Sequence, residues 1–533
     1  MARVALVSCL LLVASTVGGV AAQPGQPGPA RPESPHPAFE SVVANPLATD
    51  DRGEYVALSV PAHANLSAYV LDDGEERLRL PAVNATGTVL LTAAPAAVRA
   101  AGDRRVIGVS LPRLSNSGER LRLRRDGETV AELRYEDAPE GERYADGEWK
   151  PIGATAYPVV SGGAGTARGF VLPDAPEAAL EPIRQADDRV LLAGYTLTSR
   201  RVTDALVRAS DRGATVRVLL DGGPVGGITG SEAARLDRLV SAGVEVRVVD
   251  GPATRYRYHH AKYVVADGSA TMLTENWKPS GVGGAASRGW GVTVTDETVV
   301  AGLAETFTGD FGYRAAKGWS EFRAGESFAS ETPAAGSFQR RTGPATLPYE
   351  NVSLLVTPDN AERAIIRRID AANESIHVLQ MSVGSTDQSL VAATVDAARR
   401  GVDVRILLSS KWYVETENRR IVARLNRLAE REDLPLEARL ARPSGYEKIH
   451  AKGLVVDDTV VVGSMNWNDN SARENREVLL ALSGPAVATY YRDAFDRDWR
   501  ASGSGGERPL GLIGVLAALG VGCLLAARHL RFE

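Results

Sequence analysis

Residues 446–467 read YEKIHAKGLVVDDTVVVGSMNW. On a β-strand, residues two apart share a face, so His450 and Lys452 are expected to point the same way. Asp457 and Asp458 form the turn of an expected hairpin whose return strand is Val460-Val461-Val462. That return brings Ser464 and Asn466 back beside the His-Lys pair. One titratable base, one cation and two neutral polar groups then share a small volume. Attack on a phosphodiester needs a neutral nucleophile, positive charge around the non-bridging oxygens, and an acid for the leaving alkoxide, so two such sets would be required to supply all three.

The pattern occurs twice. Residues 258–277 read YHHAKYVVADGSATMLTENW, so His260, Lys262, Asp267, Asn276 and Trp277 repeat His450, Lys452, Asp457, Asn466 and Trp467. The surroundings repeat as well: TVRVLLDGG with DVRILLSSK, FTGDF with FDRDW, and Pro173-Asp174 with Pro358-Asp359. A long internal duplication of this kind means two copies of one unit.

This doubled H-x-K-x4-D, each copy followed by Asn-Trp, resembles the phospholipase D superfamily, the HKD enzymes, over roughly residues 155–502. The resemblance implies a phosphohistidine mechanism without a metal or other cofactor. One imidazole attacks phosphorus while the other protonates the leaving group and then deprotonates water or an acceptor alcohol. Family habit makes His260 the nucleophile and His450 the acid, and the reverse assignment stays open. Lys262, Lys452, Asn276 and Asn466 would hold the phosphoryl oxygens. Asp267 and Asp457 belong to the motif, although a turn Asp commonly bonds its own backbone.

The copies differ. Gly463-Ser464 stands where the first has Leu273-Thr274. ARENREV carries Glu477, matching the family carboxylate that orients a histidine, whereas SRGWGV offers Gly291 and no acid. One imidazole is therefore expected to lack its orienting partner unless another acid substitutes. His259 has the opposite strand parity to His260 and reads as a flanking residue. Trp277 and Trp467 read as packing behind the Asn, and Tyr446 and Lys448 as lining of the cleft mouth.

The elements that must position these groups follow from periodicity. Strands at residues 189–196 and 375–382 precede Ala/Arg/Leu-rich helices at 201–213 and 388–401, each ending in glycine. Strand–helix–strand alternation predicts a duplicated α/β phospholipase D-like body, one mixed or largely parallel sheet per repeat. The expected boundaries are 155–319 and 345–502, with an aperiodic linker at 320–344. Residues 39–144 instead show short alternating runs separated by Asp73-Gly74, Asn116-Ser117-Gly118 and Asp126-Gly127. Asn45-Pro46, GEYV at 53–56, YVLDDG at 69–74 and LSNSGE at 114–119 resemble the lamin-tail domain. That likeness implies an all-β, immunoglobulin-like sandwich used for binding or placement.

The ends of the chain read as addresses. Arg3, an apolar run and small residues to Ala22 predict a signal peptide at 1–22. Residues 510–527 carry no charge, are long enough for one transmembrane helix, and are followed by Arg528 and Arg531. The expected placement is a single-pass cell-membrane protein with its body outside. The chain's two cysteines, Cys9 and Cys523, lie in those terminal segments, so neither a disulfide nor a thiolate metal site is expected in the body. The net charge of −5 gives no general attraction to polyanions.

These readings converge on an exported, membrane-anchored phosphodiesterase acting on phospholipid, by hydrolysis or transfer. A nuclease on extracellular DNA is the enzymatic alternative. A catalytically decayed surface-binding scaffold is the non-enzymatic one. No second subunit is required, since both motifs lie in one chain.

Overall fold

A computed structural model describes residues 35–46, 52–98, 104–251, 254–330 and 334–503. The expected signal peptide and transmembrane segment lie outside the described residues. Among the described residues, no helix is long and apolar enough to cross a membrane.

Residues 38–151 form two sheets, one of six strands and one of four, closed over a common apolar core that includes Val56, Leu58, Leu71, Val89, Leu91, Leu121 and Leu123. The alternation in Gly118–Arg125 does this work: Leu121 and Leu123 point inward while the arginines between and beside them face out.

The remaining chain builds two sheets with one strand order. In the first, Glu245–Val249, Thr215–Asp221 and Arg189–Gly194 run parallel. Tyr263–Ala266, Ser269–Leu273, Ser287–Val294 and Gly165–Leu172 follow in antiparallel sequence. The second repeats this as Leu436–Leu440, Asp403–Leu408, Ser375–Gln380, Lys452–Val456, Thr459–Gly463, Val478–Ser483 and Asn351–Val356. The parallel strands read VRVLLD and IHVLQ rather than alternating, because both of their faces are covered.

Both halves exchange an edge. Val160–Gly162 precedes the first sheet in sequence but pairs with Asn351–Val356 of the second. Ala345–Tyr349 opens the second repeat but pairs with Gly165–Leu172 of the first. The expected linker begins with the short helix Trp319–Phe322, and most of the rest of its described part is irregular.

Helices Arg200–Asp211 and Gly230–Ser241 cover the outer face of the first sheet, and Ala361–Asp370, Ser389–Arg399 and Trp412–Glu432 that of the second. Between the sheets lie Glu297–Phe311 and Pro485–Ala501 in one continuous core, which joins Trp290, Phe307 and Leu303 to Leu379, Val455 and Phe495. Each such large side chain withdrawn from water contributes roughly 1.5–3 kcal/mol. The two halves therefore behave as one body, and a site placed between them is held from both sides.

Candidate active site

Each histidine sits just ahead of a strand, tied to the opposite half. His260 N donates to Arg476 O at 2.9 Å, and His450 N donates to Arg288 O at 3.0 Å. The strand Lys448–Ile449 even pairs in parallel with Ser287–Val294 of the first sheet. These crossed main-chain bonds bring the two His-Lys sets together.

Behind them lie two buried arginines in pseudo-symmetric cages. Arg476 holds Asp310 at 2.9 Å and Asp359 at 3.0 Å, with its guanidinium 4.3 Å from the Tyr256 ring. Arg288 holds Asp498 at 2.9 Å and Asp174 at 3.5 Å, 4.7 Å from the Tyr446 ring. Each arginine thus binds one aspartate from its own half and one from the other. Tyr446 is buried in its cage and does not line the cleft mouth, because its ring packs beneath the Arg288 guanidinium. His259 is likewise buried, its ring 3.4 Å from Asp310 and its N–H on Asp221 at 2.6 Å.

The imidazoles have carboxylate partners from across the interface. His260 Nδ1 lies 2.9 and 2.8 Å from the two oxygens of Glu477. Glu477 also accepts from Asn475 Nδ2 at 3.1 Å. Burial would raise the Glu477 carboxyl, but His260, Lys262 and the Ser464 hydroxyl together hold it below its ordinary range. An ionised acceptor there requires His260 Nδ1 to carry the proton, which leaves Nε2 with a free lone pair.

His450 Nδ1 lies 3.3 Å from Glu275 Oε2, a residue outside the sequence reading. The substitute acid that the sequence left open is therefore Glu275. The backbone explains why. Thr274 N bonds Trp290 O as Ser464 N bonds Val478 O, so the structural counterpart of Glu477 is Gly289, not Gly291. A Cβ at Gly289 would stand 2.3 Å from Glu275 Cγ. The acid has moved from the strand to the neighbouring turn, and a glycine makes room for it. The Leu273 substitution has a similar resolution. Leu273 pairs with Gly291, while Gly463 pairs with Leu479, so the large and small residues have changed places across one register.

Lys262 and Lys452 are buried, and each donates one N–H to the carbonyl of its own histidine, at 2.6 and 2.7 Å. Lys452 Nζ also lies 3.3 Å from His450 Nδ1. An ammonium has three donors, so each retains capacity for an anion. Burial pushes Lys262 well below its ordinary range and Lys452 down to about 8, against the pull of the two glutamates. Burial also lowers His260 and His450 to about 4, with the lysines reinforcing it and the glutamates opposing. Both imidazoles are consequently neutral near pH 7. The Oδ1 atoms of Asn276 and Asn466 are buried without partners. The Tyr195 ring meets His260 edge-on at 4.7 Å and lies 5.5 Å from Lys262 Nζ.

Other motif residues stay outside the cluster. Asp267 and Asp457 sit at the far ends of their strands, roughly 20 Å along the chain from the histidines. Asp267 accepts from the N–H groups of Asp187, Asp188 and Arg189 at 2.8–3.1 Å, and Asp457 from those of Asn373, Glu374 and Ser375 at 2.9 Å. Both have φ near +50°, which Asp tolerates in a turn. Although they belong to the motif, they do not join the catalytic groups: as a turn Asp is expected to, each organises its loop, here by pinning the entry of the neighbouring strand. Ser464 Oγ accepts from Val478 N at 3.0 Å, as Thr274 Oγ1 does from Trp290 N at 2.9 Å, so both hydroxyls brace backbone, and that of Ser464 also supports Glu477. Trp277 is buried and donates to Ala193 O at 2.9 Å, a packing role.

The arrangement brings two imidazoles and two lysines, each imidazole with a carboxylate partner, to one interface. Among the described residues, no group of three or more His, Cys, Asp or Glu could hold a metal ion.

Comparisons with known proteins agree with this geometry. The family described as "Cardiolipin synthase, PLD-like domain" matches twice, at residues 180–311 and 365–499, together just over half the chain. A phospholipase D of Rickettsia bellii is 26% identical over 160 residues, covering 28% of this chain and 74% of that protein. A mitochondrial cardiolipin hydrolase of Xenopus tropicalis is 31% identical over 113 residues, covering 21% of this chain and 49% of its own length. Among solved structures, the phosphatidylserine synthase of Haemophilus influenzae Rd KW20 covers 70% of this chain and 95% of its own, at 14% identity and a TM-score of 0.48. With the family matched in both repeats, and both His-Lys sets meeting at one interface, the chain belongs to the phospholipase D superfamily of HKD phosphodiesterases.

Proposed function

We propose that this protein is an exported, membrane-anchored phosphodiesterase that cleaves phospholipid through a phosphohistidine, with His260 as nucleophile and His450 as general acid. The observation that carries the assignment is the unequal support of the imidazoles. The short, two-oxygen contact to Glu477 leaves His260 Nε2 unprotonated, as attack requires. His450 shares Nδ1 between Glu275 and Lys452, both at 3.3 Å.

In the first step His260 Nε2 attacks phosphorus, a P–N bond forms, and the P–O bond to the head group breaks. The leaving alkoxide takes the proton of His450. In the second, His450 accepts a proton from water, the hydroxide attacks phosphorus, and the P–N bond breaks to release phosphatidate. Lys262, Lys452, Asn276 and Asn466 bind the non-bridging oxygens, worth most where water is excluded. The acid step requires His450 to hold a second proton, taken up from solvent as the diester anion binds. Export and anchoring rest on the sequence of residues 1–22 and 510–527. The front sandwich, similar in sequence to lamin-tail domains, would serve placement.

Relatives named phospholipase D and cardiolipin hydrolase favour a lipid substrate. The test offers full-length protein phospholipid vesicles and single-stranded DNA in parallel, in excess chelator, with His450→Ala as control. Head-group release that disappears in the variant is expected. DNA cleavage in its place would make the protein a nuclease, and turnover surviving in both His260→Ala and His450→Ala would remove the assignment of the site.

A further inference from the structure

Three large apolar side chains are strongly exposed among the described residues: Val225 at 79%, Trp412 at 77% and Tyr413 at 44%. They are not scattered. Leu220 pairs with Gly194 as Leu408 pairs with Gln380, so Val225 and Tyr413 both follow the second parallel strand of their repeats, Val225 in a loop and Tyr413 in the first turn of the helix Trp412–Glu432. Each lies near a residue that flanks a site histidine. Val225 N donates to Tyr195 Oη at 2.5 Å, and that ring lies against His260. The Tyr413 ring lies 5.8 Å from Nζ of Lys448, two residues before His450. Trp412 packs edge-on against Tyr413 at 5.5 Å, and this support leaves most of the indole in solvent.

Exposed apolar groups concentrated at one mouth mark a contact surface. We propose that these two lips are an interfacial docking surface, which seats the active site on a phospholipid bilayer. The proposal rests on the reading above that the substrate is a phospholipid, and adds how that substrate is reached. Trp and Tyr favour the water–lipid boundary because each pairs an apolar body with a polar edge. Val225 supplies aliphatic contact on the opposite lip, within the uncharged loop GGPVGG. A lip for single-stranded nucleic acid would combine aromatic platforms with free cations. Here the first lip has neither, and on the second Lys411 is engaged by Glu447 while Lys448 lies against the Tyr413 ring. Lipid tails entering between apolar lips would leave the phosphodiester facing the buried lysines.

The test compares full-length protein with Trp412→Ala/Tyr413→Ala and with Val225→Ser, on long-chain phospholipid vesicles and on the soluble diester bis(p-nitrophenyl) phosphate. Vesicle turnover should fall about tenfold or more while the soluble diester is cleaved as before, since apolar insertion strengthens only the interfacial step. Equal loss on both substrates, or no loss on vesicles, overturns the proposal. Single-stranded DNA is offered alongside, and selective loss of its cleavage overturns the proposal in favour of a nucleic-acid platform. A second readout is independent of turnover. The fluorescence difference between wild type and Trp412→Phe should shift to the blue and be quenched by brominated lipid. That signal without any diester cleavage would keep the docking surface and remove the activity. Cleavage without the signal would do the reverse.

Discussion

Replacing Glu477 with glutamine should slow formation of the phosphohistidine far more than replacing Glu275. The Glu477 carboxylate is fully buried and lies 2.8 and 2.9 Å from His260 Nδ1. A hydrogen bond to a charged group is worth up to about 3 kcal/mol, or about two decades in rate if lost wholly in the transition state. Glutamine preserves volume and keeps one acceptor, yet removes the charge that stabilises the imidazolium-like nucleophile as the P–N bond forms. Glu275 meets His450 at a single 3.3 Å contact, and Lys452 shares the same nitrogen. About a tenfold effect is expected there. The assay is a single-turnover reaction quenched in base, with the phosphohistidine trapped on labelled substrate. Glu477→Gln should reduce the rate of label appearance. Glu275→Gln should act chiefly on leaving-group expulsion, and a substrate with a p-nitrophenolate leaving group, which needs little protonation, should rescue it. The reasoning is refuted if Glu275→Gln is the slower variant, or if the activated leaving group rescues Glu477→Gln instead.

The relocated acid gives a second test: Gly289→Ala should push Glu275 from His450 and match the Glu275→Gln loss, while Glu275→Met with Gly289→Glu should restore rate by rebuilding the second-half arrangement. The pH dependence follows from burial. With His260 and His450 held at about 4, unfolded imidazoles near the ordinary value take up protons first as pH falls. Their contribution to stability is whole above about pH 6.5 and lost progressively toward pH 4, and urea midpoints of wild type against His450→Gln should show this difference in slope. Activity should fall on the alkaline side near pH 8, where Lys452 loses its charge, a limb measured as kcat/KM against pH. Asp457→Ala removes the acceptor of three backbone N–H groups, so unfolding should become easier by about 1–3 kcal/mol while specific activity of the folded protein stays within about twofold.

Much of this molecule was written locally. The hairpin turn at Asp457-Asp458 and the strands on either side arise from β-branched runs and a turn dipeptide, which neighbours in the chain suffice to dictate. The duplication, the two His-Lys pairs and the Asn-Trp spacing were legible for the same reason. Even the cage aspartates had a signal, since Asp310 and Asp498 close the repeated FTGDF and FDRDW, and Asp174 and Asp359 follow the repeated prolines. Their service to arginines was not legible, because each arginine takes one of them from the other half.

What tertiary structure alone decided is which half serves which. Glu477 orients the histidine 217 residues away, not the one nearer in sequence. Glu275 reaches His450 only because Gly289, in a partner strand, leaves it space. The exchanged edge strands Val160–Gly162 and Ala345–Tyr349 cross the expected repeat boundaries. Periodicity records which face of its own element a side chain occupies. It carries no term for the element packed opposite, and in a site built at an interface that opposite element chooses the partners.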